Sequence, residues 1–534
     1  MPRLNTPYRW LVMLALAVLG GAVPLAMAQP GGSGSVRIAL QAMPETFNPV
    51  LPAELNANIV TGAMFAPLAA VNPTTFATEP YLAESWEVSD DLLTWTFHLR
   101  QNAKWHDGVP ITADDVKFTF DKIKDPAESA SAYVAAGNFA SIDVIDEHTV
   151  RIVLTAPNAL LPDTLSSGGF EPLPKHVYEG FAHLADAVDA NTRNPVGSGA
   201  FRMASVQPGA QIELVAFDDF FLGQPKVPGL TFKIVRDQNA AVAQIRAGEL
   251  DYVPIEAVHR QAVAADPRME IFSVNGTRYV MMAINMSDYE PWHTMFSDVR
   301  VRKAMMYAVD RVEIAEHIGQ GLMPVLDGLM PTTLTWIPAP DIVPYRYDPE
   351  LAMQLLDEAG WVDTNGNGIR DKDGMELSFY ILVDRGNAVR EQITPVLQAA
   401  WQAIGMEVEY FATERTGRWL EETRDGTFPT RVSTFPIPNA DWAYRLFHSK
   451  GLNNSQHYVN PEVDEILDTM LASPDLEVRG QLLKQLQEVL NEDPYIMPFF
   501  LEPTLHAIDK RLVDVPRSEL QRAMPYAYLI SWAQ

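Results

Sequence analysis

The sequence predicts an α/β fold of more than one domain, and three observations predict it. Strand patterns of period two alternate with helix patterns of period 3.6 along the chain. One run, Leu82–Pro126, sets a strand, a tight turn and a helix end to end. The 534 residues also exceed what one hydrophobic core organises, so two or three domains are expected.

The first residues stand outside that fold. Arg3 and Arg9 are the only charges before residue 29, Trp10–Leu19 is apolar, and Ala26-Met27-Ala28 supplies small residues at a cleavage site. Residues 1–28 therefore read as a secretory signal peptide, followed by a Gly/Ser-rich flexible leader at 29–34. A membrane anchor would need about 20 unbroken apolar residues, and this run is shorter and broken. The chain has no cysteine, so disulfides, thiol nucleophiles, thiolate metal sites and a lipid-modified cysteine are all excluded. The expectation is a soluble periplasmic protein that is not a lipoprotein.

The formal charge is −28, or −30 once Arg3 and Arg9 leave with the signal. Such a field repels nucleic acid and anionic membranes and keeps the protein soluble. It could also favour cationic ligands.

The elements follow in order. Val36–Leu40 reads as the first strand, and Met64-Phe65-Ala66-Pro67-Leu68 is placed on a helix. In the Leu82–Pro126 run, Leu93, Trp95, Phe97 and Leu99 alternate with Thr94, Thr96, His98 and Arg100, the pattern of a half-buried strand. Asp107-Gly108 turns the chain. Thr112 stands at a helix N-cap with Asp115 three residues on, and Val116, Phe120 and Ile123 share one helix face. Ser141–Leu154 reads as two strands around Asp146-Glu147, and the turn-rich Asn194–Phe201 as a domain junction. Ile212–Phe217 and Leu230–Val235 are strands, and Asn239–Ala247 is a helix closed by Gly248. Beyond Asp298 helices dominate. Asp348-Pro349 opens one that Gly360 ends. A second carries Ile393, Leu397 and Trp401 and ends at Gly405, before a strand at Met406–Phe411. Asn460-Pro461 and Ser473-Pro474 open two more.

Motifs for catalysis are missing. There is no His-Glu-x-x-His, no Gly-x-Ser-x-Gly and no phosphate loop ending in Gly-Lys-Ser/Thr. His106, His448 and His457 are not spaced as metal ligands on a helix. One constellation is sharper. Asp363, Asn365, Asn367, Asp371 and Asp373 fall at positions 1, 3, 5, 9 and 11 of a calcium-type loop with Gly368 at position 6. Position 12 should be a bidentate Glu but is Gly374, and Arg370 stands inside the loop. A structural calcium ion and a plain Asn/Asp/Gly surface turn are the two readings.

The wording of several segments resembles that of the bacterial extracellular solute-binding proteins of family 5, the peptide- and nickel-binding receptors of ABC importers. LAESWEVSDDLLTWTFHLRQNAKWHDGVPITADDVKFTFDKIKDP at Leu82–Pro126 resembles their hallmark segment. NPVGSGAF at Asn194–Phe201, DVRVRKA…AVDR at Asp298–Arg311, YDPELAMQLLDEAGW at Tyr347–Trp361 and YVNPEVD at Tyr458–Asp464 match in the same order. The resemblance implies a two-lobed, class II periplasmic-binding-protein fold with an extra inserted domain. Residues 35–77, 196–289 and 500–534 would form the first lobe, 78–195 the insertion and 290–499 the second lobe, with hinge closure over the ligand.

What the resemblance implies for the site is ligand-binding roles for Glu54, Leu55 and Tyr133 on the first-lobe side. On the second-lobe side it implies Phe435, Asn439, Asp441 and Trp442. Where the family carries an amine-binding aspartate, spacing puts Pro436. Either Asp441 or Glu54 then takes that role, or the ligand has no free α-amine. Phe435 and Trp442 could stack on a ring or pack in the core. The expected function is capture of a small solute, an oligopeptide first, and delivery to an inner-membrane ABC permease by a monomer without cofactor. An oligosaccharide, opine-like compound or metal chelate is the alternative ligand. A secreted enzyme is the third reading, disfavoured by the missing nucleophile motifs.

Overall fold

The computed structural model describes residues 34–533 apart from 52–53, 129–135, 167, 275, 320, 386 and 415–416. The expected signal peptide, most of the expected leader and Tyr133 lie outside the described residues. Two large sheets organise the remainder. The first runs 269–274, 504–509, 252–255, 36–40, 229–234, 211–216 and 201–207 in spatial order. Its Val36–Leu40 strand lies parallel to both neighbours. The second sheet runs 407–413, 378–384, 430–436, 278–284 and 496–501; the first three are parallel, and 278–284 is antiparallel to both of its partners. A four-stranded antiparallel sheet of 83–88, 94–99, 149–154 and 139–146 lies within the inserted region.

Local sequence explains many of these elements. The Thr94–Leu99 strand alternates half-buried and buried residues, with Trp95, Phe97 and Leu99 inward. The Ala113–Ile123 helix starts where Asp115 Oδ2 accepts from the Thr112 amide at 2.9 Å. Asp348 accepts from the Leu351 amide with Pro349 in the first turn, and Asn460 caps Pro461–Leu471. Two expectations shift. The helix expected over Met64–Leu68 is Leu55–Met64 and ends at Met64, because the Met64 carbonyl and the Ala66 amide are taken by the Asn194–Phe201 turn. The helix expected from Ser473-Pro474 is capped by Asp475, whose carboxylate accepts from Glu477 and Val478.

The boundary between the lobes also moves. The strand Arg278–Ile284, expected in the first lobe, belongs to the second sheet. Its Val280, Met282 and Ile284 enter one core of that lobe, and Tyr279, Met281 and Ala283 enter the other. A strand buried on both faces reads as a continuous apolar run, and YVMMAI is one. The chain therefore passes from the first sheet to the second between Val274 and Arg278 and returns at 502–503. The crossings lie side by side, with the Glu502 amide donating to the Arg278 carbonyl at 3.0 Å. Arg522 donates to Thr277 Oγ1, and the Thr277 carbonyl accepts from Ile437 at 2.8 Å.

The matching motifs build scaffold. Arg302 is buried and donates to the Pro494 carbonyl at 2.9 Å and to Asp493. Arg311 is buried among the carbonyls of Leu326, Pro498 and Tyr345. The NPVGSGAF turn packs so closely on Met64 that a Cβ at Gly197 would lie 2.0 Å from the Met64 oxygen. His106, from the hallmark segment, clamps this turn: Nδ1 accepts from the Gly197 amide at 3.1 Å and Nε2 faces the Gly199 carbonyl at 3.0 Å.

That arrangement requires a neutral ring. Burial, the largest influence, lowers the His106 pKa from 6.5 to about 4, with the Gly199 bond opposing it. Below pH 6.5 the unfolded chain takes up a proton that the folded chain refuses, so stability falls as the pH drops from 6.5 towards 4. The expected loss from this residue is about 3 kcal/mol. Urea unfolding of the native chain and of His106→Gln across that range should show the native protein losing more; parallel curves would remove His106 from the account.

Candidate functional site

The parallel strands 378–384, 407–413 and 430–436 all point their carboxyl ends to one edge of the second sheet. That edge is where the lobes join, because Arg278, just past the first crossing, pairs with Pro436. In open α/β sheets ligands bind in the crevice outside the carboxyl ends of the strands. Two helices also begin there. Asn387 caps Ala388–Gln402 through the Arg390 amide, and Asn439 caps Ala440–Phe447 through the Trp442 amide at 3.2 Å.

The expected second-lobe residues gather at this edge. Phe435 pairs with Tyr279 across the sheet and lies under the Arg431 guanidinium at 5.3 Å. Asp441 faces Arg445 one turn on, at 2.6 Å, and Arg445 lies over the Trp442 ring at 5.7 Å. Burial raises the Asp441 pKa against the opposing pull of Arg445. On the first-lobe side, Glu54 caps Leu55–Met64. One of its oxygens accepts from the Asn56 amide at 2.7 Å and the other from Ala57 at 2.9 Å. Leu55 is 56% exposed. Both carboxylates considered for an amine are thus engaged within their own segments.

A cavity of about 320 Å³ opens between the inserted region and the second lobe, within the span usual for small-ligand sites, about 300–1,000 Å³. Phe76, Trp86, Trp95 and Trp336 supply aromatic surface. Its polar groups include Thr78, Asp163, Asn439 and Arg479. Thr78 Oγ1 donates to Asp163, whose pKa is raised chiefly by burial. The lobes also touch beside it: the Ala159 amide donates to the Leu471 carbonyl at 2.7 Å, and Leu160 is buried in a second-lobe core. Of these residues only Asn439 was expected from sequence. The others come from several widely separated segments, each an ordinary core or surface residue in its own stretch.

The calcium-type loop is bound to itself. Asp363 accepts from the Gly366 and Gly368 amides at 2.7 and 2.9 Å. Asn365 and Asn367 accept from amides two residues on, and Asp371 accepts from the Thr364 amide and hydroxyl. Asp373 has a left-handed backbone, φ 53°. Among the described residues no three His, Asp or Glu converge as a metal cluster.

Two lobes, two adjacent crossings and a cavity between them define a two-lobed solute-binding fold. The sequence profile of bacterial extracellular solute-binding proteins, family 5 middle, matches residues 77–454. The oligopeptide-binding protein AppA of Bacillus subtilis is 31% identical over 437 residues, 78% of this chain and 77% of that protein. Heme-binding protein A of Haemophilus influenzae is 28% identical over 80% of this chain and 79% of its own. Among solved structures, AppA from Bacillus subtilis in complex with a nonapeptide superposes with a TM-score of 0.76 at 25% identity, covering 95% of this chain and all of that one. NikZ from Campylobacter jejuni in complex with Ni(L-His) also gives 0.76 at 25% identity, covering 93% and 99%. This chain belongs to the bacterial extracellular solute-binding proteins of family 5.

Arg445 sets the charge balance of the expected site. Arg445→Gln should lower stability at pH 7 by about 2 kcal/mol, since Asp441 is left desolvated. Adding Asp441→Asn should recover most of the loss. Simple additivity of the two changes in a denaturant double-mutant cycle would show that the pair is not coupled.

Proposed function

We propose that this protein captures a peptide between its lobes, in the periplasm and as a monomer, and hands it to an inner-membrane ABC permease. The observation that carries this reading is the cavity walled by both lobes beside the adjacent crossings. A ligand there touches both halves and biases their closure. The relatives named for oligopeptides and the nonapeptide held by AppA support the peptide class.

One observation favours the alternative of a non-peptide ligand. Glu54 is spent on a helix cap and Asp441 on Arg445, so a ligand without a free α-amine loses nothing at either. The names of relatives that bind heme or Ni(L-His) are consistent with that class. Thermal shift against a peptide library, with native mass spectrometry of the protein taken from its host, separates the two. A peptide at 100 times its dissociation constant should stabilise the protein by about 2.7 kcal/mol. No shift with any peptide, together with a co-purified sugar or chelate, would reject the peptide reading.

The same reading uses no cofactor, and the Asp363–Gly374 turn holds its shape through its own amides. Excess chelator should leave the melting temperature unchanged. A drop that calcium restores would make the loop a structural ion site.

A further inference from the structure

The interlobe cavity is lined by a half-buried cation whose Nε is buried without an acceptor. Arg479 reaches it from the second lobe. Among the described residues its one hydrogen bond is a long one from Nη1 to the Ser473 carbonyl, 3.4 Å, and its buried Nε has no partner. Asp163 and Asp475 influence it only through space, and burial, the largest effect, pulls its pKa down. A guanidinium with a buried, unpaired Nε–H is costly, and a carboxylate would offer it two parallel charge-assisted bonds. The surrounding walls are aromatic: Phe76, Trp86, Trp95 and Trp336. They suit an apolar or aromatic body, with Thr78, Asp163, Asn439 and Arg479 as the polar groups set among them.

We propose that this cavity is a ligand subsite for an aromatic or apolar group bearing a carboxylate, with Arg479 as the anion-binding residue. The inference deepens the peptide reading and rests on it for the ligand's backbone. Asp163, facing the same space from the inserted region, repels a second negative charge, so the site selects a monoanion. Because Arg479 and Asp163 stand on opposite sides of the seam between lobes, filling the subsite also ties the halves together.

Calorimetric titration of the native protein tests this. The probes are a Phe-containing peptide that binds in the library screen, its C-terminal amide, and versions with Glu or Gln beside the Phe. Removing the recognised carboxylate should weaken binding about tenfold or more. Whether amidation or Glu-to-Gln does so tells whether the terminus or a side chain is held. Arg479→Met should lose the same factor for the acid and none for its neutral form, and Arg479→Lys should retain part of it. Equal binding of acid and neutral forms by the native protein overturns the proposal, and this comparison needs no variant to fold. If the native protein binds no peptide, the peptide reading fails by itself. The subsite is then read with 4-phenylbutyrate against 4-phenylbutyramide, where preference for the acid supports it and parity overturns it.

Discussion

Much of the first lobe depends on one neutral imidazole. His106 accepts from Gly197 and faces the carbonyl of Gly199, and the turn it holds is pressed on the end of the Leu55–Met64 helix. Three distant pieces of chain meet there: the hallmark segment that opens the inserted region, the junction that closes it, and the helix that begins at Glu54. Neither glycine can carry a side chain, because the Met64 backbone occupies the space. The inserted region consequently shares one core with the first lobe, from Val36 through Trp105 to Ile530. It is not an appended module but part of the surface against which a ligand would be closed.

The local grammar of the sequence was legible. Caps such as Thr112/Asp115 and Asp348-Pro349 depend on residues within one turn, so the elements they start fall where pattern places them. Whole-chain resemblance carried the two-lobed fold. The lobe boundary was not legible, because only residues 275–277 separate the last strand of one sheet from the first of the other. No composition change marks so short a passage.

The site was less legible still. Asp441 and Trp442 could be picked out, and Arg445 at i+4 and i+3 stands where one helix turn brings it to both, but only once the helix is placed does that pairing become visible. Arg479 sits in a helix of unremarkable amphipathic pattern, and its significance comes only from Trp336 and Asp163 being folded against it. Arg302 and Arg311 teach the converse. They stand in a recognisable motif, yet each is taken up by backbone carbonyls and one neighbouring carboxylate, and so holds strands and loops in place.

The burial of Leu160 in a second-lobe core has an energetic consequence for resting proteins in solution. Any swing that parts the inserted region from the second lobe must return that side chain to water and break the Ala159–Leu471 bond. Re-exposing a leucine costs about 2 kcal/mol, so this contact favours the closed arrangement by that amount before every other term is counted. A ligand that brings the lobes together is therefore helped by a protein–protein contact lying outside its own pocket.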